Sequence, residues 1–260
     1  MKSQLNDLIH WLAKTFRRAK VVDDKQRATY VKQAESIGLQ IQQWLGAEER
    51  EKIDLGQNCN ASWYLKQTRN KRASYPFDWI YTTPEIIDHI LKDDFRKLLQ
   101  RDLIIPHGLD AGHEFYHETL FGHRNPFRSD VDYAYYERSV KRWQALMAAN
   151  RPVVFVTVVL NETDKRKRWK EGFTKGFELP RNQTLRDFET MMEALLERNP
   201  NCKFLFIEQF TEGDFELSVI TKTESALWLK FCAIDANTGV QYLNEVDDEV
   251  MKTIYAGLHA

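Results

Sequence analysis

Between Val153 and Leu160 the chain reads Val-Val-Phe-Val-Thr-Val-Val-Leu, and Lys203 to Phe210 carries a second largely apolar run. A strand with apolar side chains on both of its faces is stable only inside a sheet that is covered on both sides. Thr184 to Arg198 has helical spacing between these two strands. Ala226 to Ile234 supplies a further strand, and residues 245–257 a closing helix. Strand–helix alternation of this kind predicts an α/β fold: three layers, a mostly parallel sheet with helices on both faces. In such sheets ligands bind outside the carboxyl ends of the strands, which is where chemistry is expected.

Upstream, residues 1–46 read as two amphipathic helices, the second carrying Tyr30, Ala34, Ile37, Ile41, Trp44 and Leu45 on one face before Gly46. The expected organisation is an N-terminal helical extension over 1–48 and an α/β domain over 49–260. Lys52 to Gly56 predicts a short strand and Asn58 to Thr68 a helix capped by Asn58 or Asn60. Pro76-Phe77-Asp78-Trp79 reads as a turn, 84–100 as a helix, 105–128 as a histidine-rich loop, and 132–149 as an aromatic helix. With 37 basic and 38 acidic residues the net charge is −1, so no global field draws in nucleic acid or a membrane surface. No apolar run is long enough to span a bilayer. Three cysteines make no disulfide framework, and a cytoplasmic location is the expectation.

Cys59 stands where the 52–56 strand gives way to the 58–68 helix. The unpaired N–H groups and positive dipole end of a helix favour thiolate over thiol. The same N–H groups, with Gln57 or Asn58, are suited to hold a developing oxyanion. An inert buried cysteine is the competing reading, and Cys202 and Cys232 fit it better, since both lie in apolar strand contexts.

The words around this cysteine carry a resemblance. Leu55-Gly56-Gln57-Asn58-Cys59, then Leu65-Lys66, Arg72, Ser74 and Pro76-Phe77-Asp78-Trp79, a helix reaching Phe95, and Phe115-Tyr116-His117-Glu118 resemble a bacterial family described as papain-like cysteine peptidases. The resemblance covers about residues 52–160. A more distant one is to capsule-biosynthesis acetyltransferases that use a cysteine and coenzyme A on a papain-like variant fold. The peptidase resemblance implies Cys59 as nucleophile, His117 as its base and Asp78 as the motif's own acid. Glu208 and Asp235, at expected strand ends, remain open as orienting groups. Papain's own architecture, a helical lobe beside a barrel-like one, differs from the alternation seen here; the alternation is taken for the fold and the motif for the chemistry.

A rival claim lies in the histidine loop. His113-Glu114-Phe115-Tyr116-His117 matches the H-E-x-x-H zinc pattern, and His123 follows at the spacing of a third ligand. On a helix, His113 and His117 would share a face with Glu114 as general base. Against it, Leu120 stands where extended motifs carry glycine, and no apolar helix leads into the segment. Finally, Lys165, Arg166, Lys167 and Arg168 follow the Val153–Leu160 strand. A loop there would reach the edge that holds Cys59 and grip an anionic substrate, or it is simply a solvated loop. The expectation is therefore a cysteine-dependent acyl enzyme, hydrolase or acyltransferase. Its substrate is a small molecule, peptide or saccharide, with Gln57, Asn58, Lys165, Arg166 and Arg168 on the substrate side. It has no resident cofactor or metal, and acyl-coenzyme A is a co-substrate if it transfers. A zinc hydrolase and a noncatalytic α/β binding module are the alternatives.

Overall fold

The computed structural model describes residues 22–161, 172–210, 214–235 and 237–259. The chain is mixed α/β, with a mostly parallel five-stranded sheet and a small antiparallel one. In chain order the elements are α1 (Asp24–Leu45), β1 (Glu51–Asp54), α2 (Asn60–Gln67), α3 (Pro84–Lys92), β2 (Ile104–His107), β3 (Asp110–His113), β4 (His117–Phe121) and α4 (Asp130–Ala148). There follow β5 (Val153–Leu160), α5 (Glu189–Arg198), β6 (Cys202–Phe210), β7 (Glu216–Lys222), β8 (Ala226–Cys232) and α6 (Glu245–Ala256). The large sheet has the order β1-β5-β6-β8-β7, with β1, β5, β6 and β8 parallel and β7 antiparallel at one edge.

Alternation along the central strands sorts the core into two apolar clusters. Val153, Phe155 and Val159, Phe204 and Phe206, and Ala226 and Trp228 belong to one, with Ile86, Ile87 and Ile90 of α3, Val140 and Trp143 of α4, and Met191 and Leu195 of α5. Val154, Val156 and Val158, Leu205 and Ile207, and Leu227 and Leu229 belong to the other, with residues of α1, α2 and α6. This is why the strands read as near-continuous apolar runs. Each fully buried Val, Leu, Ile or Phe contributes on the order of 1.5–3 kcal/mol. α1 starts in a capping box between Asp23 and Gln26 and packs on α6, where Gly38 and Gly257 meet so closely that a Cβ on Gly257 would lie 2.5 Å from the Gly38 carbonyl oxygen.

Several expectations need correction. The first expected helix lies outside the described residues. The helix of 84–100 ends at Lys92, because Asp94 (φ 53°) and Phe95 (φ 62°) are left-handed and turn the chain. The expected loop 105–128 contains three antiparallel strands, β2-β3-β4, too short for a periodicity signal and broken by Pro106, Gly108 and Gly112. Strand β7 has no sequence forerunner, since an edge strand with no fully buried residue lacks an apolar run. Thr184–Arg198 splits into a 3₁₀ turn (Leu185–Phe188) followed by α5. No helix among the described residues is long and apolar enough to cross a membrane.

Candidate active site

Strand β1 ends at Asp54, and the next five residues build the site. Gly56 takes φ +84°, and a Cβ there would come within 2.4 Å of Thr82 Oγ1, so the position requires glycine. Its N–H donates to Asp54 Oδ1 (2.7 Å), and the Gln57 N–H donates to Thr82 Oγ1 (2.9 Å). Gln57 is also left-handed (φ 70°). Its side chain is buried, donating to Gln183 Oε1 (2.6 Å) and accepting from the Leu160 N–H (3.0 Å). Asn58 Oδ1 accepts from the Asn60 N–H (2.9 Å), an Asx turn spanning Cys59, which occupies the N-cap position of α2.

Cys59 Sγ lies 3.0 Å from His123 Nε2. His123 follows β4 in the chain, and its ring meets the Trp79 ring edge-on at 5.1 Å between centroids. Trp79 is itself left-handed (φ 63°), an unfavourable conformation for a bulky residue that the surrounding turn must hold. In that turn Phe77 packs between Phe95 and Trp143 (5.8 and 5.1 Å). The proline-phenylalanine-aspartate-tryptophan words therefore serve the site by presenting Trp79 to His123.

His117 is not the residue in contact with Cys59 Sγ. It opens β4, where Nδ1 accepts from the Thr119 N–H (3.0 Å). Its ring packs against Phe173 (4.3 Å) and Tyr81 (5.2 Å), and a Cβ on Gly172 would lie 2.3 Å from its Cε1. Sequence reasoning named His123 only as a third zinc ligand or a loop residue and gave the role of base to His117, although Phe121-Gly122-His123 repeats the phenylalanine–x–histidine spacing.

The H-E-x-x-H alternative required a helix, and the segment is not helical. His113 and His117 sit opposite one another on antiparallel β3 and β4, not one turn apart on a helix. Both His113 ring nitrogens are engaged, Nε2 donating to the Lys97 carbonyl (2.9 Å) and Nδ1 accepting from the Phe115 N–H (3.2 Å). Burial lowers its pKa to about 4. Among the described residues no group of three or more His, Cys, Asp or Glu side chains is placed to hold a metal ion.

Asp78 is fully buried and bonded away from His123: it pairs with Lys71 Nζ (2.5 Å), accepts from Ser62 Oγ (3.1 Å) and closes its own turn through the Tyr75 N–H (2.7 Å). It anchors α2, as does Asp54, whose Oδ2 accepts from the Ser62 N–H (3.0 Å). Glu208 accepts from Asn161 Nδ2 (2.5 Å) and Trp228 Nε1 (3.0 Å). The Asp235 N–H donates to Asp247 (3.0 Å). Lys165, Arg166 and Arg168 lie outside the described residues.

The electrostatics differ from a helix-dipole thiolate. Burial pushes the Cys59 thiol well above its ordinary range, and the Asp54 carboxylate adds to it. Burial also lowers the His123 pKa, with Asp110 pulling weakly upward. The resting pair is thus a neutral thiol facing a neutral imidazole. Two clefts, about 360 and about 400 Å³, lie elsewhere; one is lined by Arg50, Cys202 and Glu224, the other by Asp94, Trp143 and Arg198. Cys59, 5% exposed, lines neither.

Burial and the nearby Asp78 raise Asp54 from 3.8 to about 7. A carboxyl whose folded pKa lies above its unfolded one holds more protons in the native state between those values, so stability falls as pH rises through that window. His113, lowered from 6.5 to about 4, acts with the opposite sign over an overlapping range. The Asp54 effect is therefore read by difference. Urea unfolding should show the parent losing stability relative to Asp54→Asn between about pH 4 and about pH 7. Parallel stability curves would refute the raised pKa.

Compared with known proteins, the chain matches no family model, and no curated protein or solved structure is significantly similar to it.

Proposed function

We propose that this chain is a cysteine-dependent acyl enzyme in which Cys59 is the nucleophile and His123 its general base. The observation that carries the reading is the 3.0 Å contact between Sγ and Nε2 at the junction of β1 and α2. Nucleophile and base within hydrogen-bond reach are what acyl transfer needs. Because the thiol is held protonated, its proton moves to His123 as sulfur attacks the carbonyl carbon, and His123 then protonates the leaving group. The two apolar clusters support a three-layer arrangement, which sets this pair at the carboxyl edge where open α/β sheets bind ligands.

The papain-like resemblance is retained in this reading for the nucleophile, with His123 taking the role that the motif gave to His117. Water as acceptor makes the protein a hydrolase; a hydroxyl or amine makes it an acyltransferase with acyl-coenzyme A as donor. Free thiols at Cys59 and Cys202 are what a reducing compartment maintains, which supports a cytoplasmic setting. Mixing the protein with p-nitrophenyl acetate should give a burst of p-nitrophenolate stoichiometric with protein, absent from Cys59→Ala. A burst of the same size in that variant would refute the assignment.

A further inference from the structure

Resting on that reading, we infer that the oxyanion formed during attack is held by two side chains, the Asn58 carboxamide and the Tyr136 hydroxyl. Three of the backbone amides at this turn are engaged. The Cys59 N–H donates to the Gly239 carbonyl (3.0 Å), the Asn60 N–H to Asn58 Oδ1 (2.9 Å) and the Ser62 N–H to Asp54 Oδ2 (3.0 Å). The neighbouring amide side chains are engaged too: Gln57 Nε2 donates to Gln183 and Asn60 Nδ2 to the Val240 carbonyl (3.1 Å). Asn58 Nδ2 and the Tyr136 hydroxyl are different. Both are buried, at 1% and 2% exposure for their residues, and neither has a hydrogen-bond partner among the described residues.

A buried donor without a partner carries an uncompensated desolvation penalty, and its retention calls for a reason. Asn58 precedes Cys59, and its amide is fixed by the Asx turn that spans the cysteine, with Oδ1 as the anchored atom and Nδ2 on the same carbon left over. Tyr136, on α4, lies within electrostatic reach of Cys59. Its ring packs at 4.8 Å on Phe121, two residues before His123. Burial keeps this phenol protonated, so it presents an O–H donor at every working pH.

The step balances as follows. The Cys59 S–H bond breaks and its proton passes to His123 Nε2 while sulfur bonds to the carbonyl carbon. The carbonyl π pair moves to oxygen, and the resulting oxyanion accepts from Asn58 Nδ2–H and Tyr136 O–H. On collapse the pair returns, the bond to the leaving group breaks, and that group takes the proton from His123. Neutral donors preorganised for charge that exists only in the transition state accelerate the step without stabilising the substrate.

The test compares two reactions of the full chain at Cys59. Acylation by p-nitrophenyl acetate passes through an oxyanion; alkylation by iodoacetamide does not. Tyr136→Phe, and Asn58→Asp, which keeps the oxygen that accepts from Asn60, should each slow the acylation burst by about 10²–10³-fold. Alkylation of Tyr136→Phe should stay close to the parent rate. Since Tyr136→Phe removes an unpartnered hydroxyl, its melting temperature should not fall, and that variant alone decides should Asn58→Asp misfold. Acylation by Tyr136→Phe at the parent rate overturns the oxyanion assignment while the Cys59–His123 reading stands. A parent protein that alkylates but never acylates overturns both.

Discussion

Replacing His123 with alanine should slow acylation of Cys59 by about 10²–10⁴-fold at neutral pH, the usual contribution of a positioned general base. The effect belongs at the upper end here because burial and Asp54 hold the thiol protonated, leaving almost no spontaneous thiolate. The pH profile adds a signature that a structural role would not produce. In the parent, the rate should climb as His123 loses its proton, with a midpoint below the ordinary imidazole value of 6.5 because burial lowers it. It should then stay level through neutrality. In His123→Ala that limb should vanish and reactivity should rise only in strong alkali, following the thiol. A variant that keeps the parent's limb would remove His123 from the mechanism.

Asp78→Ala should lower folding stability by about 3–5 kcal/mol, as removal of one partner from a buried ion pair typically does. Asp78 is fully buried and its partner Lys71 nearly so, with 2.5 Å between nitrogen and oxygen. The variant strands an ammonium group and also frees the Tyr75 N–H and Ser62 hydroxyl. Nearby Asp54 partly compensates the charge, which favours the lower end of the range. Chemical denaturation of both proteins measures the difference. A loss below about 1 kcal/mol would mean that the pair behaves like a solvated surface bridge. At temperatures where the variant is folded, the midpoint of its acylation profile should match the parent's, because Asp78 holds α2 and makes no contact with His123.

The parallel part of the fold was legible because β5, β6 and β8 are packed on both faces and display that as runs of Val, Phe, Leu and Ile. The β2-β3-β4 sheet was hidden for the converse reason: strands of four or five residues, with Pro106 and two glycines among and between them, show no period. Cys59 could be placed from local features alone, a short strand followed by a helix start. Its partner could not. His123 is 64 residues away in sequence, and its approach depends on the register of β4 and on the turn that presents Trp79. The match of Phe115-Tyr116-His117-Glu118 to the family element pointed instead to His117, because a motif match says nothing of the hairpin that sets His113 and His117 opposite one another. The role of Tyr136 was masked in the same way: on a helix of aromatic residues its ring reads as core, and only the unpartnered hydroxyl sets it apart.

The central claim is that Cys59 forms a covalent acyl intermediate with proton transfer to His123. Its most direct test is the intact mass of the full chain after brief mixing with p-nitrophenyl acetate, followed by peptide mapping and hydroxylamine treatment. The expected result is a single acetyl group on Cys59, removed by hydroxylamine as a thioester is, and formed far more slowly in His123→Ala. Acetylation spread over lysines, or equally fast on Cys202 and Cys232, with Cys59 unmodified, would contradict it.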